Sequence, residues 1–224
     1  MKIHKGAKLL FVGDSITDCG RTRPIAEGLH NPLGNGYVNI VNGLLGAFCP
    51  GLGIRVVNMG HAGDQSRNLK LRWQADVLDL KPDWLSLMTG VNDIWRQFDI
   101  PYIKEKHIFV DEYEATLDEL LTPIRPSLKG LVLMRPHFIE PNRNEPMRVM
   151  IDQYALAVKR LAQKHDAIYV DTQAYFDVLL QHCHPAEIAW DRVHPNVVGH
   201  SVFARAFLDA VEFPWHGSNV TNEP

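Results

Sequence analysis

Cysteine is scarce: Cys19, Cys49 and Cys183 are the only three in 224 residues. An odd number, widely spaced and without a CxxC pair, builds no disulfide framework and suits a reducing compartment. Basic charge is not in excess either. The 23 Lys+Arg against 26 Asp+Glu give a formal charge of −3, and the cations are dispersed, so there is no footprint for a phosphate backbone or an anionic membrane. Nucleic acid and membrane are therefore not expected partners. Long apolar runs are missing as well. The basic start, with Lys2, Lys5 and Lys8, leads only into Leu9–Val12 before Gly13-Asp14 ends the run. That is too short for the apolar region of a signal peptide, and no stretch approaches the roughly 18 residues of a bilayer span. These absences predict a cytoplasmic protein. Glycine motifs that cradle phosphates, G-x-G-x-x-G or G-x-x-x-x-G-K-[ST], are lacking too, which argues against dinucleotide and nucleoside-triphosphate chemistry.

What is present is a chain with 46% hydrophobic and 22% charged residues, enough to bury a large core without staples. We read it as one domain over residues 1–224, with about 217–224 as a flexible tail. Five short, nearly continuous apolar runs predict strands: Lys8–Val12, Arg55–Met59, Trp84–Thr89, Gly130–Met134 and Ala167–Val170. Such runs suit strands covered on both faces. Between them, helical periodicity marks Tyr37–Phe48, Ser66–Leu80, Asp111–Leu121, Pro146–His165, Thr172–His182 and Val198–Glu212. Asp111 with Glu114 suggests a capping box, and Glu145-Pro146 a helix start. The alternation predicts an α/β fold, a three-layer α/β/α sandwich around a central five-stranded parallel sheet. Thr22–Gly36 and Asp99–Val110 break the alternation and are long enough for functional loops.

Ligands of such sheets bind outside the carboxyl ends of the strands. After the first strand stands Gly13-Asp14-Ser15-Ile16, a tight strand-to-helix turn. Asp14 or Ser15 suits a helix N-cap there, and Ser15 equally suits a nucleophile whose own N–H faces a developing oxyanion. After the second strand comes Gly60-His61-Ala62-Gly63-Asp64, and after the third Gly90-Val91-Asn92-Asp93. Gly63 brings a backbone amide close to a ligand without a Cβ in the way, and Asn92 brings a side-chain donor. Near the C-terminus stands Trp190-Asp191-Arg192-Val193-His194-Pro195. Asp191 and His194, three apart, can share a face, the carboxylate orienting an imidazole that takes a proton from Ser15.

Taken together, these four segments resemble the SGNH, or GDSL-type, serine hydrolase family over nearly the whole chain. The resemblance implies a flavodoxin-like sandwich and a role for each matching residue. Ser15 would be the nucleophile, His194 the base and Asp191 its orienter, with Ser15, Gly63 and Asn92 as the oxyanion hole. Within that family the chain is most similar to the compact bacterial acetylxylan esterases. The matching stretches are Gly13-Asp14-Ser15-Ile16-Thr17-Asp18-Cys19-Gly20-Arg21, Val91-Asn92-Asp93-Ile94-Trp95-Arg96-Gln97 and Ala189-Trp190-Asp191-Arg192-Val193-His194-Pro195. This implies removal of acetyl groups from xylose units or short xylo-oligosaccharides, no metal or other cofactor, and a homo-oligomer. One departure is that His61 and Asp64 stand where such enzymes commonly carry other residues, often Asn in place of Asp64. A carboxylate at that point repels the charge of the transition state.

Trp95 and Trp190 adjoin the site segments, and an indole face stacks well on a sugar, so both are candidate substrate contacts. Phe213-Pro214-Trp215 is a candidate interface patch. Gly199-His200-Ser201 begins like a nucleophile elbow but has Phe203 where the motif needs glycine. His182-Cys183-His184 falls at a predicted helix end, a poor geometry for a metal site. Two other functions remain open: an esterase or thioesterase of the same fold acting on lipid or acyl-CoA, and a catalytically silent carbohydrate-binding protein.

Overall fold

The computed structural model describes residues 1–28 and 30–215; the predicted tail at 217–224 lies outside them. Five strands form one sheet: β1 (Lys8–Gly13), β2 (Arg55–Gly60), β3 (Trp84–Met88), β4 (Gly130–Met134) and β5 (Ile168–Val170). All neighbours are parallel, in the order β2-β1-β3-β4-β5. The nine helices among the described residues are α1 (Ser15–Asp18), α2 (Tyr37–Phe48), α3 (Ser66–Trp73), α4 (Val91–Asp99), α5 (Val110–Ile124), α6 (Pro146–Lys164), α7 (Thr172–Leu179), α8 (Pro185–Ile188) and α9 (Val197–Ala210). None is long and apolar enough to cross a membrane.

The period-two alternation of a strand sorts its side chains between two cores. Leu10, Val12, Leu85, Leu87, Leu131 and Leu133 join the side chains of α3 to α6, including Trp73, Ile94, Tyr113, Leu117, Tyr154 and Leu161. Leu9, Phe11, Trp84, Met88, Val132 and Met134 face the other way, toward Tyr37, Val41, Phe176, Phe203 and Phe207 of α2, α7 and α9. This is the expected three-layer α/β/α sandwich.

The local corrections have physical causes. The third helix is regular only to Trp73 and then widens into a π-type turn over Gln74–Leu78. The expected Asp111–Glu114 capping box is not formed. Helix α5 begins one residue earlier, with Phe109 at its N-cap and no side-chain cap, while Glu114 pairs with Arg160. The helix expected over Thr172–His182 stops at Leu179, and His184 instead caps α8, its Nδ1 accepting from Ala186 N–H at 3.2 Å. Helix α4 occupies a stretch read only as a site segment. Phe213 is buried and Trp215 packs on it at 4.8 Å, so the aromatic tail is largely internal packing. Gly199 and His200 are buried in α9.

In a sheet that runs from β1 out to β2 and back across to β3, a crevice opens where the order reverses. Gly13 pairs with both Gly60 and Met88, so the three chain segments leaving those strands emerge side by side. The α1 turn lies directly on this edge. A Cβ at Gly60 would stand 2.2 Å from Asp18 N and 2.6 Å from Thr17 C, backbone atoms that cannot swing aside. Gly60→Ala is therefore expected to cost about 1–3 kcal/mol by overpacking and to shift the turn that carries Ser15. Urea unfolding checks the first effect; wild-type stability would contradict it.

Candidate active site

Asp14 is the N-cap of α1, its Oδ1 accepting the Ile16 N–H at 3.1 Å. Because Asp14 does the capping, the Ser15 hydroxyl is free to turn toward another element. Ser15 Oγ lies 2.9 Å from His194 Nε2, and His194 Nδ1 lies 2.6 Å from Asp191 Oδ2. An ionised carboxylate only accepts, so Nδ1 carries the imidazole proton and Nε2 presents its lone pair to the serine hydroxyl. Asp191 Oδ1 accepts two more bonds, from Val193 N–H at 3.0 Å and His194 N–H at 2.8 Å. Partial burial pushes the Asp191 carboxyl up, but the bonds from the His194 ring and these two amides outweigh it and leave it below the ordinary carboxylate value. Such a carboxylate is ionised at neutral pH and stabilises an imidazolium.

Ser15 is the first residue of α1, so its N–H is one of the orphan donors of a helix start. Gly63 has φ +83, and Asp64 N–H bonds back to His61 O at 3.2 Å. That is a turn with a positive φ at its third position, which demands glycine, and the Gly63 N–H takes no part in the turn's own bond. Asn92, in the first turn of α4, donates from Nδ2 to Asp64 O at 3.0 Å, while Arg96 donates to its Oδ1 at 3.4 Å. The side-chain amide is thereby fixed, and among the described residues Nδ2 donates one N–H, to Asp64 O, leaving its second N–H for a ligand.

The Asp64 carboxylate is held by Arg72, whose Nε donates to it at 2.5 Å. The same guanidinium donates to Asp76 at 2.7 Å, Met59 O at 2.8 Å and Gly13 O at 3.0 Å, tying α3 to the ends of β1 and β2. The negative charge is thus paired, and it is the backbone carbonyl of Asp64 that meets Asn92. His61 lies 3.3 Å from Asp76; burial, then the Arg72 cation, hold its ring below the ordinary histidine range. Sequence reasoning missed Arg72, because in the fold Leu71 is exposed and Arg72 half-buried, the reverse of the polarity expected of a helix face.

Other positioning groups went unread. Asn58 on β2 donates to Thr17 O at 2.7 Å and Leu33 O at 2.8 Å, and accepts from Gly60 N–H at 2.9 Å. It fastens both the Ser15 turn and the 22–36 loop. Buried Asp93 accepts from the Ser66 hydroxyl at 2.5 Å and joins α4 to α3. The Trp95 ring stands 5.5 Å from that of His194, whereas Trp190 is 90% exposed beside Asp191. A cleft of about 260 Å³ opens next to Asp191, lined by Trp95, Phe98, Phe138, Met147, Glu145 and Arg192 among others. No group of three or more His, Cys, Asp or Glu side chains suited to a metal ion occurs among the described residues.

Burial lifts the Asp14 carboxyl from 3.8 to about 7, helped by the charges of Asp93 and Asp64. An unfolded chain loses that proton near the lower value, so between the two the folded state binds more protons and its stability falls as pH rises. Asp14→Asn keeps the capping oxygen and stays neutral. Its stability relative to wild type should therefore increase from about pH 4 to about pH 7, as read by urea unfolding. Parallel curves for the two proteins would contradict this.

The GDSL-like lipase/acylhydrolase family matches residues 11–202 of this chain. An acetylxylan esterase of Geobacillus stearothermophilus is 55% identical over 215 residues, which span 96% of this chain and 98% of that one. The crystal structure of Axe2, an acetylxylan esterase from the same organism, aligns with TM-score 0.96 at 55% identity, covering 97% of this chain and 100% of that one. LAE5, an alpha/beta hydrolase enzyme from the metagenome of Lake Arreo, Spain, aligns with TM-score 0.94 at 48% identity, covering 95% and 98%. Catalytic mutants of Axe2 have been solved as S15A, D191A and H194A; this chain has Ser15, Asp191 and His194 at those numbers. The shared fold, the extent of these matches and the Ser15–His194–Asp191 geometry lead to one conclusion: this chain belongs to the GDSL-like lipase/acylhydrolase family.

Proposed function

We propose that this protein is a serine esterase that removes acetyl groups from acetylated xylose units, acting on short xylo-oligosaccharides. The observation that carries the reading is the unbroken path from Asp191 through His194 to the Ser15 hydroxyl. Ser15 Oγ attacks the ester carbonyl and passes its proton to His194 Nε2. His194 hands that proton to the departing sugar oxygen as the C–O bond breaks, leaving an acetyl group on Ser15. Water, deprotonated by His194, then attacks the acyl carbon, releasing acetate and restoring the serine. The Ser15 and Gly63 N–H groups and the Asn92 amide meet the oxyanion of each tetrahedral intermediate.

The acetylxylan esterase relatives support the choice of ester. So does the small cleft beside Asp191, where the aromatic rings of Trp95, Phe98 and Phe138 stand together with the polar groups of Asp99, Glu145 and Arg192, a combination that suits a sugar. Trp190 is a second sugar contact in this reading. The reading extends to a cytoplasmic homo-oligomer. Supporting it are the free thiols Cys19, Cys49 and Cys183 and the exposed apolar side chains Trp190, Val197 and Val198 near the site.

The test compares acetate release from acetylated xylo-oligosaccharides with hydrolysis of p-nitrophenyl acetate and octanoate, with EDTA present, for wild type, Ser15→Ala and Asn92→Ala. Turnover on both acetyl substrates should vanish in Ser15→Ala. In Asn92→Ala, kcat should fall about a hundredfold to a thousandfold with KM little changed. A preference for octanoate would replace the sugar ester by a lipid one. Tight binding of the oligosaccharide without turnover in wild type would favour a carbohydrate-binding protein.

A further inference from the structure

Asp191 and His194 lie on irregular backbone between α8 and α9, which has no helix or sheet ladder of its own to hold them. The segment that leaves β4 does the holding, at four points. His137 Nε2 lies 2.9 Å from Val193 O, and Ile139 N–H donates to Arg192 O at 2.9 Å. Arg192 Nη1 donates to Glu140 Oε2 at 2.6 Å, and its guanidinium lies 4.7 Å from the centre of the Phe138 ring. Arg192 itself has φ +63, a left-handed conformation that a side chain of this size keeps only where its surroundings over-determine it.

His137 is the deepest of these groups, 1% exposed, stacked on Phe176 at 5.7 Å and edge-on to Phe203 at 4.7 Å. A carbonyl only accepts, so Nε2 carries the proton and donates to Val193 O. That carbonyl belongs to the same peptide unit as His194 N–H, which donates to Asp191 Oδ1 at 2.8 Å. One rigid peptide plane is therefore gripped at both ends, by a buried imidazole on its oxygen and by Asp191 on its nitrogen. The other Asp191 oxygen faces the His194 ring, and that ring faces Ser15.

We propose that His137, with Glu140, is a positioning residue of the esterase. By holding the Val193–His194 peptide from below, it sets the orientation of Asp191 and hence the angle at which His194 meets the Ser15 hydroxyl. This rests on the reading of Ser15, His194 and Asp191 as the reacting groups. Burial keeps the His137 ring neutral, its value pushed down to about 4, so it acts as a fixed donor and not as a second base.

The test is p-nitrophenyl acetate kinetics with thermal unfolding for wild type, Ser15→Ala, His137→Leu, His137→Gln and Glu140→Gln. Leucine fills apolar space without a donor; glutamine offers an amide nitrogen at the same number of bonds from the backbone. His137→Leu should lose about tenfold or more in kcat with KM within about twofold, since small misplacements of reacting groups are felt in the chemical step. His137→Gln should recover most of that loss, and Glu140→Gln should show a milder fall in kcat at unchanged KM. Folded His137→Leu and Glu140→Gln with wild-type kcat would overturn the proposal, as would a His137→Gln as slow as His137→Leu. Should His137→Leu not fold, Glu140→Gln decides by itself, a wild-type kcat overturning the proposal. An active Ser15→Ala would instead remove the underlying reading, whatever the His137 variants do.

Discussion

At Gly13 a Cβ would stand 2.3 Å from Met88 O and from Thr17 Oγ1, and at Gly60 it would meet the backbone of Asp18. The turn that carries Ser15 thus lies against the ends of three strands with no side chain between them. That closeness sets the rest of the arrangement. It lets Asn58 reach the Thr17 carbonyl, lets Arg72 bond the Gly13 and Met59 carbonyls at once, and places the segments after Gly60 and Met88 beside the serine. A larger residue at either glycine would separate Ser15 from His194 without touching either side chain.

Electrostatic balance is the second requirement. A site that stabilises an oxyanion tolerates little unpaired negative charge nearby, yet Asp14, Asp18, Asp64, Asp76 and Asp93 all cluster at this edge. Each is compensated differently. Asp64 and Asp76 share Arg72, and Asp18 pairs with Arg23 and accepts from Ala62 N–H. Asp14 and Asp93 are buried, which lifts them to about 7 and about 6, while Ile16 and Ser66 donate to them. The acids serve mainly as fixtures of backbone, as N-cap, turn brace and interhelical link.

Which parts of this were legible in the sequence follows from the range of the forces involved. The strands were legible because both faces are buried, so Leu9 to Val12 or Leu131 to Met134 read as unbroken apolar runs. Ser15, Asp191 and His194 stood out because their chemistry is compressed into short segments. Helix α4 was less visible: Val91 and Ile94 are core, but Asn92 and Asp93 between them are also buried for polar reasons, which breaks the apolar period. The Asp111–Glu114 pattern misled because helix α5 starts one residue earlier, where Tyr113 N–H bonds Phe109 O at 2.9 Å, and Glu114 turns outward to Arg160. Arg72, Asn58 and His137 were invisible for a common reason: each acts through backbone carbonyls 13 to 59 residues away in sequence, and no local pattern encodes such a partner.

In the proposed mechanism the Ser15 hydroxyl, activated by His194, is the group that reacts. Labelling with a fluorophosphonate, followed by peptide mapping, tests it most directly. One adduct should form on Ser15, activity should decline in step with its formation, and His194→Ala should label far more slowly. Full labelling of Ser15 with activity intact, or equal labelling rates in the His194→Ala protein, would contradict that mechanism.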